Sequence, residues 1–153
     1  MVDHYPAFFQ LSEQHRKKLA SMLIRRDYQN GEIIYHQNNP AATGYFLVSG
    51  SVGIFRQNGS SAPDRLQYIT PGHGFGFESL VEQQSRRNSA QALETCMVFA
   101  LLTSDFVDLQ QDHPVLAIKL LEIVTENLLQ NLADLQDEFR SLTNKLTQAN
   151  ILV

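Results

Sequence analysis

The sequence predicts a mainly β fold with helices: an antiparallel sandwich or roll, flanked by helices and followed by one long C-terminal helix. Three observations predict it. Short runs of β-branched, aromatic and aliphatic residues recur between residues 32 and 102, punctuated by Gly and Pro, as in folds of many short strands. From residue 115 to about 148 the chain holds neither Pro nor Gly. Within that stretch apolar residues recur at heptad spacing, the pattern of a helix that pairs.

Length and composition set bounds. A chain of 153 residues is expected to form one domain with an appended helix, divided at 1–112 and 113–153. An apolar fraction of 43% suits a globular core. The net charge of −4 gives no global basic field for nucleic acid or an anionic membrane. The clusters Arg16-Lys17-Lys18 and Arg25-Arg26 read as solvated helix faces. One cysteine, Cys96, excludes a disulfide within the chain and a cysteine-ligated cluster; its strand-like setting predicts a buried structural thiol. No apolar run approaches the roughly 18 residues that span a bilayer, and the N-terminus lacks the regions of a signal peptide, so the expected location is cytoplasmic.

Each element follows from its local residues. Ser12 is placed to cap a helix over residues 13 to about 23, with Leu11, His15, Leu19, Met22 and Leu23 on one face. Asn30-Gly31 signals a turn. Strands are expected over 32–37, 45–48, 52–55 and 65–69, with a loop over 58–63. Two more follow over 89–93 and 97–102. Ser104-Asp105 suits the cap of a short helix reaching about residue 111, and Pro114 suits the first position of the long helix. With Ile118 at heptad position a, the a series is Ile118, Thr125, Leu132, Phe139 and Leu146, and the d series is Leu121, Leu128, Leu135 and Leu142. Thirty-odd helical residues reach roughly 50 Å at 1.5 Å each, more than this domain covers. A second copy is the simplest partner for Leu121, Leu128, Leu132, Leu135, Phe139, Leu142 and Leu146, and a homodimer through this helix is expected.

The chain is organised around residues 71–93, PGHGFGFESLVEQQSRRNSAQAL. Gly72, Gly74 and Gly76 alternate and lead into Phe77-Glu78-Ser79-Leu80-Val81; Arg86, Arg87, Asn88 and Ser89 come behind. Glycine allows a tight turn and close approach, and a following helical turn presents free N–H groups to an anion. An arginine about ten residues on brings a planar, permanently charged fork to the same anion. This is the chemistry of phosphate or carboxylate capture without bond breaking. The glycines alone also fit a loop that merely closes the roll, and Glu78 is near enough to neutralise Arg86.

These residues carry a family resemblance. Gly72-x-x-Phe75-Gly76-x-x-Ser79-Leu80, then Arg86-x-x-Ser89-Ala90-x-Ala92, resembles the phosphate-binding cassette of cyclic-nucleotide-binding domains. Ala90-Gln91-Ala92-Leu93-Glu94-Thr95 resembles the fumarate–nitrate branch of the Crp/Fnr transcription regulators. The resemblance runs from Phe8 to about Leu146 and implies a jelly-roll-like double-stranded β-roll, for which Gly31 and Gly50 match the turn pattern. It implies a ligand site at Gly76, Phe77, Glu78, Ser79, Leu80, Arg86, Arg87, Asn88 and Ser89, with the base reaching Asn127 and Asn131 on the long helix. Polarity at Asn127 and Asn131 also fits register setting or solvent exposure. Phe77 stands where cyclic-nucleotide binders carry a ribose-holding glutamate, and the segment to Arg86 is one residue short. An aromatic there matches the fumarate–nitrate branch, whose oxygen sensor has an N-terminal cysteine group that this chain lacks.

The expected function is sensing of a cyclic nucleotide or other small anionic effector, signalled through the dimer helix of a transcription regulator. A helix-turn-helix domain follows that helix in such regulators; none fits within 153 residues, so DNA contact is expected elsewhere. Two alternatives stand beside it: a ligand-free dimerisation module with a degenerate pocket, and a haem-based gas or redox sensor. Haem is disfavoured because no attachment motif is present. His4, His15, His36, His73 and His113 show no metal-site spacing, and no nucleophile–base set or Walker loop points to an enzyme.

Overall fold

The structure, a computed structural model, describes residues 2–82 and 84–149. The expected β-roll is present. Strands β1 (Ile24–Tyr28), β2 (Ile33–Tyr35), β3 (Thr43–Ser49), β4 (Val52–Arg56), β5 (Asp64–Ile69), β6 (Gly74–Phe75), β7 (Ser89–Ala92) and β8 (Cys96–Leu102) form two four-stranded sheets. Their orders are β1-β8-β3-β6 and β2-β7-β4-β5, antiparallel throughout.

The period-two alternation of β3 and β8 explains how the core divides. Tyr45, Leu47, Val98 and Ala100 point between the sheets, where they meet Val52, Ile54, Ile69, Phe75, Ala90 and Ala92. Phe46, Phe99 and Leu101 point the other way, into a second core built with the helices. Strands β3 and β8 are therefore buried on both faces and read as continuous apolar runs.

Helix α1 (Glu13–Met22) starts at Ser12, whose hydroxyl accepts the His15 N–H at 3.2 Å. It buries Leu19 beside Leu11 and Leu23. Helix α2 (Glu78–Val81) is one turn between the glycine run and the arginines. Helix α3 (Thr103–Asp112) starts one residue before the expected cap and has no side-chain cap bond, because its N-cap is the apolar Leu102; the Thr103 hydroxyl donates to the Ser79 carbonyl at 3.0 Å. Helix α4 (Pro114–Gln148) spans the expected 35-residue element.

The two faces of α4 differ. Leu116, Ala117, Leu120, Ile123 and Val124 enter the helix-side core. On the other face Ile118, Leu128, Leu132, Phe139, Leu142 and Leu146 stay exposed on the single chain, Phe139 at 73%. The first half of α4 thus belongs to the core of the roll, and its second half projects. Among the described residues no helix is long and apolar enough to cross a membrane.

Two expectations are corrected. Arg25 and Arg26 lie on β1, an edge strand, rather than on a helix face; Arg25 chelates Asp27 at 2.9 and 3.0 Å. Nothing in IRRDY alternates, so pairing with β8 makes it a strand. The glycine run is also more than a turn: Gly74-Phe75 pairs with Tyr45-Phe46 as β6. Cys96 is buried, its thiol facing the carbonyls of Ser51 and Glu94, and burial pushes its pKa up.

Candidate functional site

The site is a buried arginine held against its own cassette. The Arg86 side chain is 2% exposed. Its backbone is pinned on both sides by the turn after β2: Asn38 N–H donates to the Arg86 carbonyl and Arg86 N–H donates to the Asn39 carbonyl, each at 2.8 Å. The guanidinium lies 4.0 Å over the Tyr35 ring. Nη1 donates to the Gly76 carbonyl at 2.9 Å and to Glu78 Oε1 at 3.0 Å. Nη2 donates to the Thr43 carbonyl. Nε is buried without a hydrogen-bond partner.

Glycine makes this approach possible. Gly76 has φ +70°, and a Cβ there would stand 2.9 Å from Arg86 Nη1. A Cβ on Gly74 would stand 2.2 Å from the Phe77 ring. The Ser79 hydroxyl donates to the Gly76 carbonyl at 3.0 Å, so one carbonyl ties α2 and Arg86 together.

The residues packed around Arg86 include aromatic rings. Tyr45 stacks on Phe75 at 5.1 Å and on Tyr35 at 5.9 Å. Burial raises the Tyr35 pKa first; Glu78 adds to the rise and Arg86 opposes it. The Tyr35 hydroxyl donates to Asn88 Oδ1 at 3.3 Å.

Of the sequence-predicted residues, the structure gathers Gly76, Glu78, Ser79 and Arg86. Others point elsewhere. The Phe77 ring is buried on the helix side of the first sheet, 5.0 Å from Phe46, and half-buried Leu80 packs on the same cluster. Arg87 is exposed and pairs with Glu82 at 2.9 Å. The Ser89 hydroxyl accepts the Gln37 N–H at 2.8 Å and lines a cleft of about 680 Å³ with Ile33, His36 and Phe55, on the outer face of the second sheet.

Asn127 and Asn131 are buried on α4, each tied to another element. Asn127 Oδ1 accepts the Tyr5 hydroxyl at 2.7 Å, and its Nδ2 donates to the Ile123 carbonyl at 2.9 Å. Asn131 Nδ2 donates to the Gly74 carbonyl at 3.0 Å. One turn later, Asp134 approaches His73 Nε2 at 4.0 Å. The strand entering the cassette is thereby fastened to the helix.

Sequence reasoning missed Tyr35, Tyr45, Phe75 and the Thr43 carbonyl. Their signal was an aromatic in three separate strands, but which side each faces depends on pairing and register. Among the described residues no group of three or more His, Cys, Asp or Glu side chains is placed to hold a metal ion.

Comparison with known proteins agrees with this geometry. The chain is 30% identical over 123 residues to a cyclic AMP receptor protein of Thermus thermophilus, covering 80% of this chain and 57% of that one. The chain thus spans little more than half the length of that relative. The crystal structure of the Thermus thermophilus catabolite activator protein superposes with a TM-score of 0.68 at 29% identity, over 89% of this chain and 63% of that one. A cyclic nucleotide-binding domain from Methylobacillus flagellatus shares the fold, with a TM-score of 0.77 at 16% identity over 84% of this chain and 72% of that one. Residues 25–113 match the cyclic nucleotide-binding domain family, and with its glycine–arginine cassette on a double-stranded roll, this chain belongs to that family.

Proposed function

We propose that the domain senses a small anionic effector, with a cyclic nucleotide as the first candidate, and signals through α4 as part of a Crp/Fnr-type transcription regulator. One observation carries the reading: the strand that opens the arginine cassette is hydrogen-bonded to a helix with an exposed apolar seam. Arg86 supplies the fixed positive charge. Its orphaned Nε suits one more acceptor oxygen of a phosphate. The cassette moves with what Arg86 holds, and Asn131 passes that movement to α4 through Gly74. The seam of Leu121, Leu128, Leu132, Leu135, Phe139, Leu142 and Leu146 pairs two copies, so a shift of α4 changes their angle. Contact with DNA belongs to a part of the regulator outside residues 1–153. The name of the Thermus relative makes cyclic AMP the ligand to test first.

A second reading is favoured by a specific contact. Glu78 already sits on Arg86, as it would in a ligand-free dimerisation module. Thermal melting separates the two. With millimolar cyclic AMP or cyclic GMP the sensor gains stability by mass action, about 2.7 kcal/mol at one hundred times Kd. The gain disappears in Arg86→Ala. Absence of a shift with either nucleotide supports the dimerisation module instead.

A further inference from the structure

We infer that Glu78 gates the Arg86 site: its carboxylate occupies the guanidinium in the closed form, and an anionic effector binds only as Glu78 swings out. The inference rests on the effector-sensing reading and deepens it.

The two partners are held very differently. Arg86 is fixed by the Gly76 and Thr43 carbonyls, by the Tyr35 ring and by two backbone hydrogen bonds of its own. The Glu78 side chain is 33% exposed against 2% for Arg86. It reaches Arg86 from the water side at 3.0 Å, from the first turn of α2. Rotating Glu78 outward returns its carboxylate to solvent, whereas moving Arg86 would break its hydrogen bonds to the Gly76 and Thr43 carbonyls and its stacking on Tyr35. Glu78 is therefore the half of the pair that yields.

The guanidinium is also incompletely satisfied in the closed form. Nε is buried without an acceptor, and with Nη2 given to the Thr43 carbonyl Glu78 meets the fork through Nη1 alone instead of the two-point grip that carboxylates and phosphates make with arginine. An incoming phosphate oxygen takes the place of the Glu78 carboxylate on Nη1 and supplies the same charge. Glu78 thus sets a threshold: an anion enters only when its contacts at the site outweigh those of the built-in carboxylate.

The test is calorimetric titration of the whole chain with cyclic AMP, comparing wild type, Glu78→Gln and Glu78→Asp. Both variants should bind on the order of tenfold more tightly than wild type, the change that about 1.4 kcal/mol produces. Glu78→Asp keeps the charge and withdraws the contact by one methylene. Melting curves confirm that both variants fold, as expected for a partly exposed side chain. Wild-type binding that is unchanged in Glu78→Gln overturns the gate and leaves the effector reading standing. Tighter binding in Glu78→Gln with wild-type affinity in Glu78→Asp also overturns it, since bulk charge would then be the cause. No binding by any of the three overturns the gate and the cyclic-nucleotide reading together.

Discussion

Arg86 is the residue on which the cassette closes. Replacing it with Leu takes the guanidinium donor from the Thr43 carbonyl and leaves the Gly76 carbonyl with the Ser79 hydroxyl alone. Hydrogen bonds from a charged donor contribute about 1.5–3 kcal/mol each, so Arg86→Leu should lose about 3 kcal/mol in urea unfolding, partly offset by the added apolar contact. Two buried phenols give the residue scale a second test. Burial raises the pKa of both Tyr5 and Tyr35 from their ordinary 10.0. The unfolded chain starts to release these protons near pH 10 while the folded chain retains them. Above that pH the unfolded state binds fewer protons, so stability falls as pH rises. Melting temperature should be insensitive to these groups below pH 9 and decline above pH 10. Tyr5→Phe should make the decline shallower, and an unchanged slope would assign it to other groups.

At the scale of elements, α4 joins two tasks on opposite faces. Its inner face is anchored by Leu116, Leu120, Ile123 and Val124, then by Asn127 and Asn131 where the apolar anchors end. Asn131→Ala removes the hydrogen bond to Gly74, at a cost of about 1 kcal/mol in equilibrium unfolding. It should also weaken the dependence of α4 on the cassette, read as a smaller ligand-induced change between spin labels on the projecting half. The outer face is tested by charge. Leu132→Glu with Phe139→Glu puts carboxylates in the middle of the exposed seam. Sedimentation equilibrium should then give a monomer with the circular dichroism of an intact roll; a persisting dimer would place the interface elsewhere.

For the whole molecule, the proposed dimer couples folding to pairing. On the proposed pairing, a helix whose second half projects from its domain with Leu132, Phe139, Leu142 and Leu146 exposed would be stabilised chiefly by a second copy. The melting temperature of the wild-type chain should therefore rise with protein concentration over a hundredfold range, and the Leu132→Glu, Phe139→Glu chain should show no such rise.

The sequence by itself determined most of the frame. Gly and Pro between short apolar runs marked six of the eight strands, Ser12 and Pro114 marked two helix starts, and a stretch free of Pro and Gly with heptad spacing marked α4 to within a residue. These features are local, because turns, caps and periodicity act within a few residues of the chain. It also placed Glu78 near Arg86 and left open which of them the other serves. The tertiary structure alone made IRRDY a strand, turned Phe77 away from the roll interior, put the Tyr35 and Tyr45 rings beside Arg86 and sent Asn131 to Gly74. Each of those depends on which strand lies next to which, and on register, where a shift of one residue reverses every side chain. The closed Arg86–Glu78 contact has the same origin: adjacency suggested the pair, and only the packed roll, by fixing the arginine and leaving the carboxylate at the water's edge, decided which of the two is free to move.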